Sequence, residues 1–138
     1  MIIRKAKIKD CSACYELCRT PELLPLFRKF PARQWIESFV KEKQIFFVAE
    51  DSGKIVGFTM GEKTTGKEAI WQILLVKKEY RNLNIATKLL ETVEKEYRKR
   101  GVKYVWVYSY AKNKEVNSIL DKKGYKKGSL CYERLKKL

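Results

Sequence analysis

The sequence predicts a mixed α/β fold: a mostly antiparallel central sheet with one parallel βαβ unit and helices on both faces. Three observations predict it. An apolar run at 70–76, an amphipathic stretch at 86–100 and a second apolar run at 102–110 follow one another as strand, helix and strand. A crossover of that kind makes its two strands parallel. Two shorter strand patterns, 45–50 and 54–61, flank Asp51-Ser52-Gly53, a tight turn that makes them an antiparallel hairpin. Helical periodicity lies both before and after these strands, which supplies a layer for each face.

The elements follow in order. Residues 2–8 alternate loosely and read as a first strand. Asp10 suits the N-cap of a helix over 11–19, whose apolar stripe is Cys11, Cys14, Leu17 and Cys18. Thr20-Pro21 starts a turn, and Pro25 and Pro31 break up the stretch that follows. A second helix over 32–43 sets Trp35, Ile36, Phe39 and Val40 on one side. After the hairpin, a polar loop with Gly66 leads to 70–76, which reads as a strand buried on both faces. Over 86–100 the residues Ala86, Leu89, Leu90, Val93 and Tyr97 share a face, with acid–base pairs four apart opposite. Gly101 ends that helix. A short helix over 113–122 and a terminal strand over 125–135 complete the chain. No stretch looks like a linker or a repeat, so residues 1–138 read as a single domain.

Composition narrows the chemistry. In 138 residues, 45% are hydrophobic, which fills a core, and 31 Lys and Arg against 16 Asp and Glu give a net charge of +15. There is no histidine. Triads with a histidine base, histidine-ligated zinc and histidine-held haem are therefore excluded. What remains must run on carboxylates, tyrosines, backbone amides or water. No apolar run approaches the roughly 20 residues that cross a bilayer, and the N-terminus has no signal-like apolar region. The expectation is a cytoplasmic protein, no membrane partner, and four cysteines present as thiols. Cys11, Cys14 and Cys18 share one helix face, which favours packing over a metal site; no metal is expected. The clusters Arg98-Lys99-Arg100, Lys122-Lys123 and Lys126-Lys127 fit a solvated surface better than a nucleic-acid site, since no nucleic-acid motif accompanies them.

The segment that carries chemistry joins the 70–76 strand to the 86–100 helix: Glu79-Tyr80-Arg81-Asn82-Leu83-Asn84-Ile85-Ala86-Thr87-Lys88-Leu89-Leu90. A helix entered directly from a buried strand offers unpaired N–H groups and a positive dipole end, which suits phosphate. With Val76, Arg81, Ile85, Ala86 and Leu89-Leu90 in place, this segment resembles the GNAT superfamily of acetyl-CoA-dependent N-acetyltransferases. Val105-Trp106-Val107, Asn113 and Gly124-Tyr125 fit the same pattern at its usual spacing, as does the order of elements.

The resemblance implies acetyl-CoA as co-substrate, with the pyrophosphate on backbone N–H groups of Asn82, Leu83, Asn84, Ile85, Ala86 and Thr87, beside Arg81. Val76 would hold the pantetheine arm strand-fashion, and Leu74 would sit near the thioester. A strand amide within Leu74, Leu75 and Val76 would face the developing oxyanion, and Asn113 would touch the far end of the arm. The acceptor implied is an amine: a small molecule, a peptide N-terminus or a protein lysine. The protein is expected to act as a monomer or homodimer. Its acceptor is expected to meet the region 18–35 and the end of the chain.

Two positions depart from the pattern. Asn84 stands where the first glycine of the motif belongs, and asparagine is among the few residues that tolerate a left-handed backbone. Leu120 stands where many relatives carry a proton-donating tyrosine, which leaves solvent to protonate the thiolate. Gln72 occupies the usual place of a glutamate base, either orienting a water or serving as a polar spacer. Glu68 lies four residues earlier, roughly 13 Å along a strand. Tyr108, Tyr110 and Tyr132 are the remaining proton-donor candidates, weighed against ordinary packing. A CoA-binding module without transfer activity and a basic RNA-associated protein are the alternative functions.

Overall fold

A computed structural model describes residues 1–20 and 31–138. Its elements are β1 (Ile2–Lys5), a 3-10 turn (Ile8–Asp10), α1 (Cys11–Cys18), α2 (Arg33–Lys41), β2 (Ile45–Asp51), β3 (Lys54–Lys63) and β4 (Glu68–Val76). A second 3-10 turn (Lys78–Tyr80), α3 (Ile85–Lys99), β5 (Tyr104–Val107) and α4 (Lys114–Lys122) follow. The breakers expected at Pro21 and Pro25 lie outside the described residues.

The strands form one sheet in sequence order, β1 to β5. All neighbours are antiparallel except β4 and β5, which run parallel as the crossover requires. The β2–β3 turn places Ser52 at φ 49° and Gly53 at φ 76°, the double left-handed geometry that a two-residue hairpin needs. Gly101 ends α3 at φ 76°.

Alternation along the strands feeds two cores. Phe46, Val48, Phe58, Met60, Ile73 and Leu75 pack on one face with α1 and α2, through Cys11, Cys14, Cys18, Ile36 and Phe39. Ile45, Phe47, Val56, Ala69 and Val76 pack on the other with Ile85, Leu89, Val93 and Tyr97 of α3. Trp71, Leu90 and Leu120 form a third cluster that seats α4. The apolar face expected over 86–100 is thus buried against the sheet.

Three strand expectations are corrected. Residues 2–8 form a strand only to Lys5, because Asp10 accepts from the Lys7 N–H at 2.8 Å and turns the chain into α1. The stretch 125–135 is irregular: Tyr125 packs near Trp71 with ring centroids 6.3 Å apart, but Leu130 and Tyr132 are solvent-exposed and form no ladder. A strand-like segment makes no strand where it does not lie along a neighbouring edge. The predicted strand at 102–110 likewise shortens to Tyr104–Val107, since only four residues meet β4.

Cys11, Cys14 and Cys18 are fully buried, as packing residues. Burial pushes all three thiols up, Cys18 to about 12. Cys131 is exposed. In folded protein at pH 8, one thiol per chain is expected to react quickly with a maleimide, and the other three only after unfolding. Intact-mass labelling counts them; two or more fast thiols would contradict this core. Among the described residues, no helix is long and apolar enough to cross a membrane.

Candidate active site

The site begins where β4 leaves β5. Their parallel pairing runs from Glu68 opposite Tyr104 to Trp71 opposite Val107 and stops there. Residues 72–76 continue along β3 on their other side, so this half of β4 has no strand on its β5 side. An open edge of four steps, about 13 Å long, leads from Gln72 to Val76.

The far end of this edge meets the α3 N-terminus. Asn82 and Asn84 both take the left-handed conformation, at φ 63° and 62°. Asn84 is the N-cap at ψ 15°, and its side chain makes no capping hydrogen bond. The first N–H groups of a helix have no partner within it. Alternating left-handed residues before a helix form the concave array of N–H groups that anions occupy. Arg81 fixes this loop to the strand: its Nε donates to Val76 O at 3.2 Å, and its guanidinium lies 3.8 Å from Glu115 of α4. Leu83 is exposed, Ile85 is buried under α3, and Ala86 and Thr87 are half-buried in the first turn. Asn82, Leu83 and Asn84 are thus exposed in a loop that Arg81 ties to β4.

The near end of the edge is a β-bulge that the sequence did not reveal. Met60 pairs with Ile73 and Gly61 with Trp71, so Gln72 is an extra residue in β4. Thr59 clips both flanks. Trp71 Nε1 donates to Thr59 Oγ1 at 2.6 Å, and Thr59 Oγ1 donates to Ile73 O at 2.9 Å, with Thr59 fully buried. Tyr97 Oη of α3 donates to Ile70 O at 2.9 Å, passing over Gly61. Gln72 is exposed, and its Nε2 donates to Glu62 Oε1 of β3 at 2.9 Å. Gln72 thus sits at a bulge rather than in a regular stretch of strand.

Other candidates are scattered. Leu74 and Val76 point toward the α3 core and Leu75 toward the α1–α2 core, which leaves their backbone for the open edge. Tyr108, just past the last β5 pair, is 75% exposed. Tyr132 is 89% exposed on the irregular end of the chain and is not gathered into the site. Tyr110 is tied to that end by a 3.4 Å hydrogen bond to Glu133, and burial followed by the Glu133 charge raises its hydroxyl pKa. Glu68 accepts from Trp106 Nε1 at 3.1 Å, away from Gln72. Asn113 caps α4, accepting from the Val116 N–H at 3.2 Å. Leu120 is buried against Trp71 and Leu90. Glu62 and Thr59 left no local signal, because their importance comes from partners on another strand.

Residues 10–125 match the family described as the acetyltransferase (GNAT) family. The chain belongs to it. Among GNAT proteins, an uncharacterized N-acetyltransferase, MJ1530 of Methanocaldococcus jannaschii, is 37% identical over 97 residues, 70% of this chain and 59% of that one. The chain thus spans under two thirds of that relative's length. The ribosomal-protein-S18-alanine N-acetyltransferase of Escherichia coli shares the fold at a TM-score of 0.74 and 22% identity, over 89% of this chain and 76% of that one. So does the PaiA N-acetyltransferase of Thermoplasma acidophilum in complex with coenzyme A, at 0.69 and 23% identity, over 89% and 87%.

Proposed function

We propose that the protein is an acetyl-CoA-dependent N-acetyltransferase that passes the acetyl group directly to a primary amine. The observation that carries this reading is the alignment of three features along one strand. A helix N-terminus entered through the left-handed Asn82 and Asn84, an open edge of strand and a polar bulge follow in that order from Val76 to Gln72. That order fits a ligand with phosphates at one end, amides along its length and a reactive group at the other. The residues present fit it: the loop N–H groups take the pyrophosphate, and the open edge of Leu74, Leu75 and Val76 pairs with the amides of the arm as an added strand would. Acetyl-CoA supplies an activated acyl carbon. The chain supplies position, a backbone N–H near Leu74 aimed at the developing oxyanion, and a surface whose +15 charge draws in phosphate.

Membership of the family and the coenzyme A complex of a similarly folded protein support the cofactor. The Escherichia coli enzyme's name gives an alanine of ribosomal protein S18 as its target, which supports an amine acceptor. The test is chromatographic detection of CoA release from acetyl-CoA with three amines: a peptide with a free N-terminal alanine, a lysine peptide blocked at its N-terminus, and spermidine. Amine-dependent release, with acetylated product seen by mass spectrometry, is expected for at least one. Binding of acetyl-CoA without transfer to any of them would make the protein a CoA-binding module.

A further inference from the structure

We infer that Glu62 of β3 is the general base of this site, held in place by Gln72. The inference rests on the acetyltransferase reading above. Gln72 stands at the bulge where β4 parts from β5, the point at which the reactive end of a bound thioester would arrive. A carboxamide is not a base at working pH. Its carboxamide N–H, however, points to Glu62 Oε1 at 2.9 Å, and the carboxylate sits half-buried one strand away. Glu62 pairs with Ile70 on β3, one strand (about 4.8 Å) back from the opening, and in this proposal a single bridging water carries the proton from an amine at the opening to its carboxylate.

The bulge makes this pairing possible. An extra residue in β4 shifts the register so that Gln72 has no direct partner across β3, and its side chain is left to reach sideways. The Thr59 clip and the Tyr97 bond to Ile70 hold residues 70–73 in that geometry. Competing groups are otherwise engaged. Glu68 is bound to Trp106, and Tyr97 is buried with its proton donated to Ile70 O. Burial, reinforced by the Glu62 charge, keeps that proton on Tyr97 well above its ordinary pKa. Arg100, which follows α3, also acts on Tyr97 but is hydrogen-bonded to Glu96 and to Lys43 O. Just before β2, the uncharged Gln44 accepts from the Lys63 N–H at 3.2 Å.

The step balances without a further reactant. The amine lone pair forms the C–N bond at the thioester carbonyl carbon. The C–S bond breaks, its electron pair stays on sulfur, and CoA leaves as the thiolate. The nitrogen's surplus proton passes through the water to Glu62, which returns it to solvent. Gln72 retains a carbonyl oxygen that can accept from the incoming amine.

The experiment uses the whole chain with acetyl-CoA and hydroxylamine, a nucleophile too small to need an acceptor pocket, and reads hydroxamate formation. Glu62→Gln keeps the shape and hydrogen bonding of the pair but removes the base. It is expected to lower turnover about 100-fold, the scale of a lost general base, with the acetyl-CoA dissociation constant unchanged by calorimetry. Glu62→Asp keeps a carboxylate and is expected to retain more activity than Glu62→Gln, which guards against a fold defect in one variant. Equal turnover in wild type and Glu62→Gln, or equal losses in the Gln and Asp variants, overturns the inference. So does a wild type that binds acetyl-CoA but forms no hydroxamate above the uncatalysed rate. Failure of the wild type to bind acetyl-CoA overturns the acetyltransferase reading itself, a result distinct from the others.

Discussion

Gly61→Ala is expected to lower the melting temperature by roughly 10 °C, and Gly61→Val to leave little folded protein even at room temperature. A Cβ at position 61 would lie 1.9 Å from Tyr97 Oη and 2.9 Å from Ile70 O. Tyr97 is only 1% exposed and packs in the α3 core, so its ring cannot swing aside. Overpacking a core costs about 1–3 kcal/mol. Forcing the hydroxyl off Ile70 O adds a lost buried hydrogen bond of about 1–3 kcal/mol. The sum is a large part of the roughly 5–15 kcal/mol that holds a domain together. Tyr97→Phe removes the clashing atom at a cost of about 1 kcal/mol. The Gly61→Ala, Tyr97→Phe double variant should therefore melt above Gly61→Ala alone. Simple addition of the two losses would mean that the hydroxyl is not what position 61 makes room for. The same variants disturb β4 beside Gln72, so lost activity should accompany lost stability.

Gly61 also marks the limit of what the sequence discloses. The Asp51-Ser52-Gly53 turn, the C-terminal Gly101 of α3 and the left-handed Asn84 were all legible, because each is decided by the backbone preferences of one or two residues. The parallel β4–β5 pair followed from the crossover rule alone. The bulge did not. Trp71, Gln72 and Ile73 read as ordinary buried–exposed–buried alternation, and nothing local reveals that Gln72 is an extra residue against β3. Once that register is unknown, Glu62, Thr59 and Tyr97 cannot be gathered around position 72, since they approach it from two other elements. The terminal strand failed for the opposite reason. The segment 125–135 reads as a strand, but the edge strand β5 beside it offers four residues and the chain does not lie along them.

Acetyl-CoA at 100 times its dissociation constant is expected to stabilise the protein by about 2.7 kcal/mol, a rise of roughly 5–10 °C for a domain of this size. Most of that rise should depend on residue 84. Asn84 stands at φ 62° and ψ 15°, one residue after Leu83 and two after the equally left-handed Asn82. Glycine adopts that conformation freely, whereas a branched Cβ resists it at a cost of about 1–2 kcal/mol. Asn84→Gly should keep or increase the ligand-induced rise. Asn84→Val should lower the melting temperature of the free protein slightly and turn the loop N–H groups away from a shared target. Measured from each variant's own ligand-free melting temperature, the rise for Asn84→Val should fall by at least half. That comparison separates binding from folding, since strain present in both states cancels. If Asn84→Val kept the whole rise, the left-handed loop would not be what holds the phosphates. The phosphates would then have to be held by lysines around the α3 N-terminus, such as Lys78 and Lys88, and binding would weaken steeply with salt.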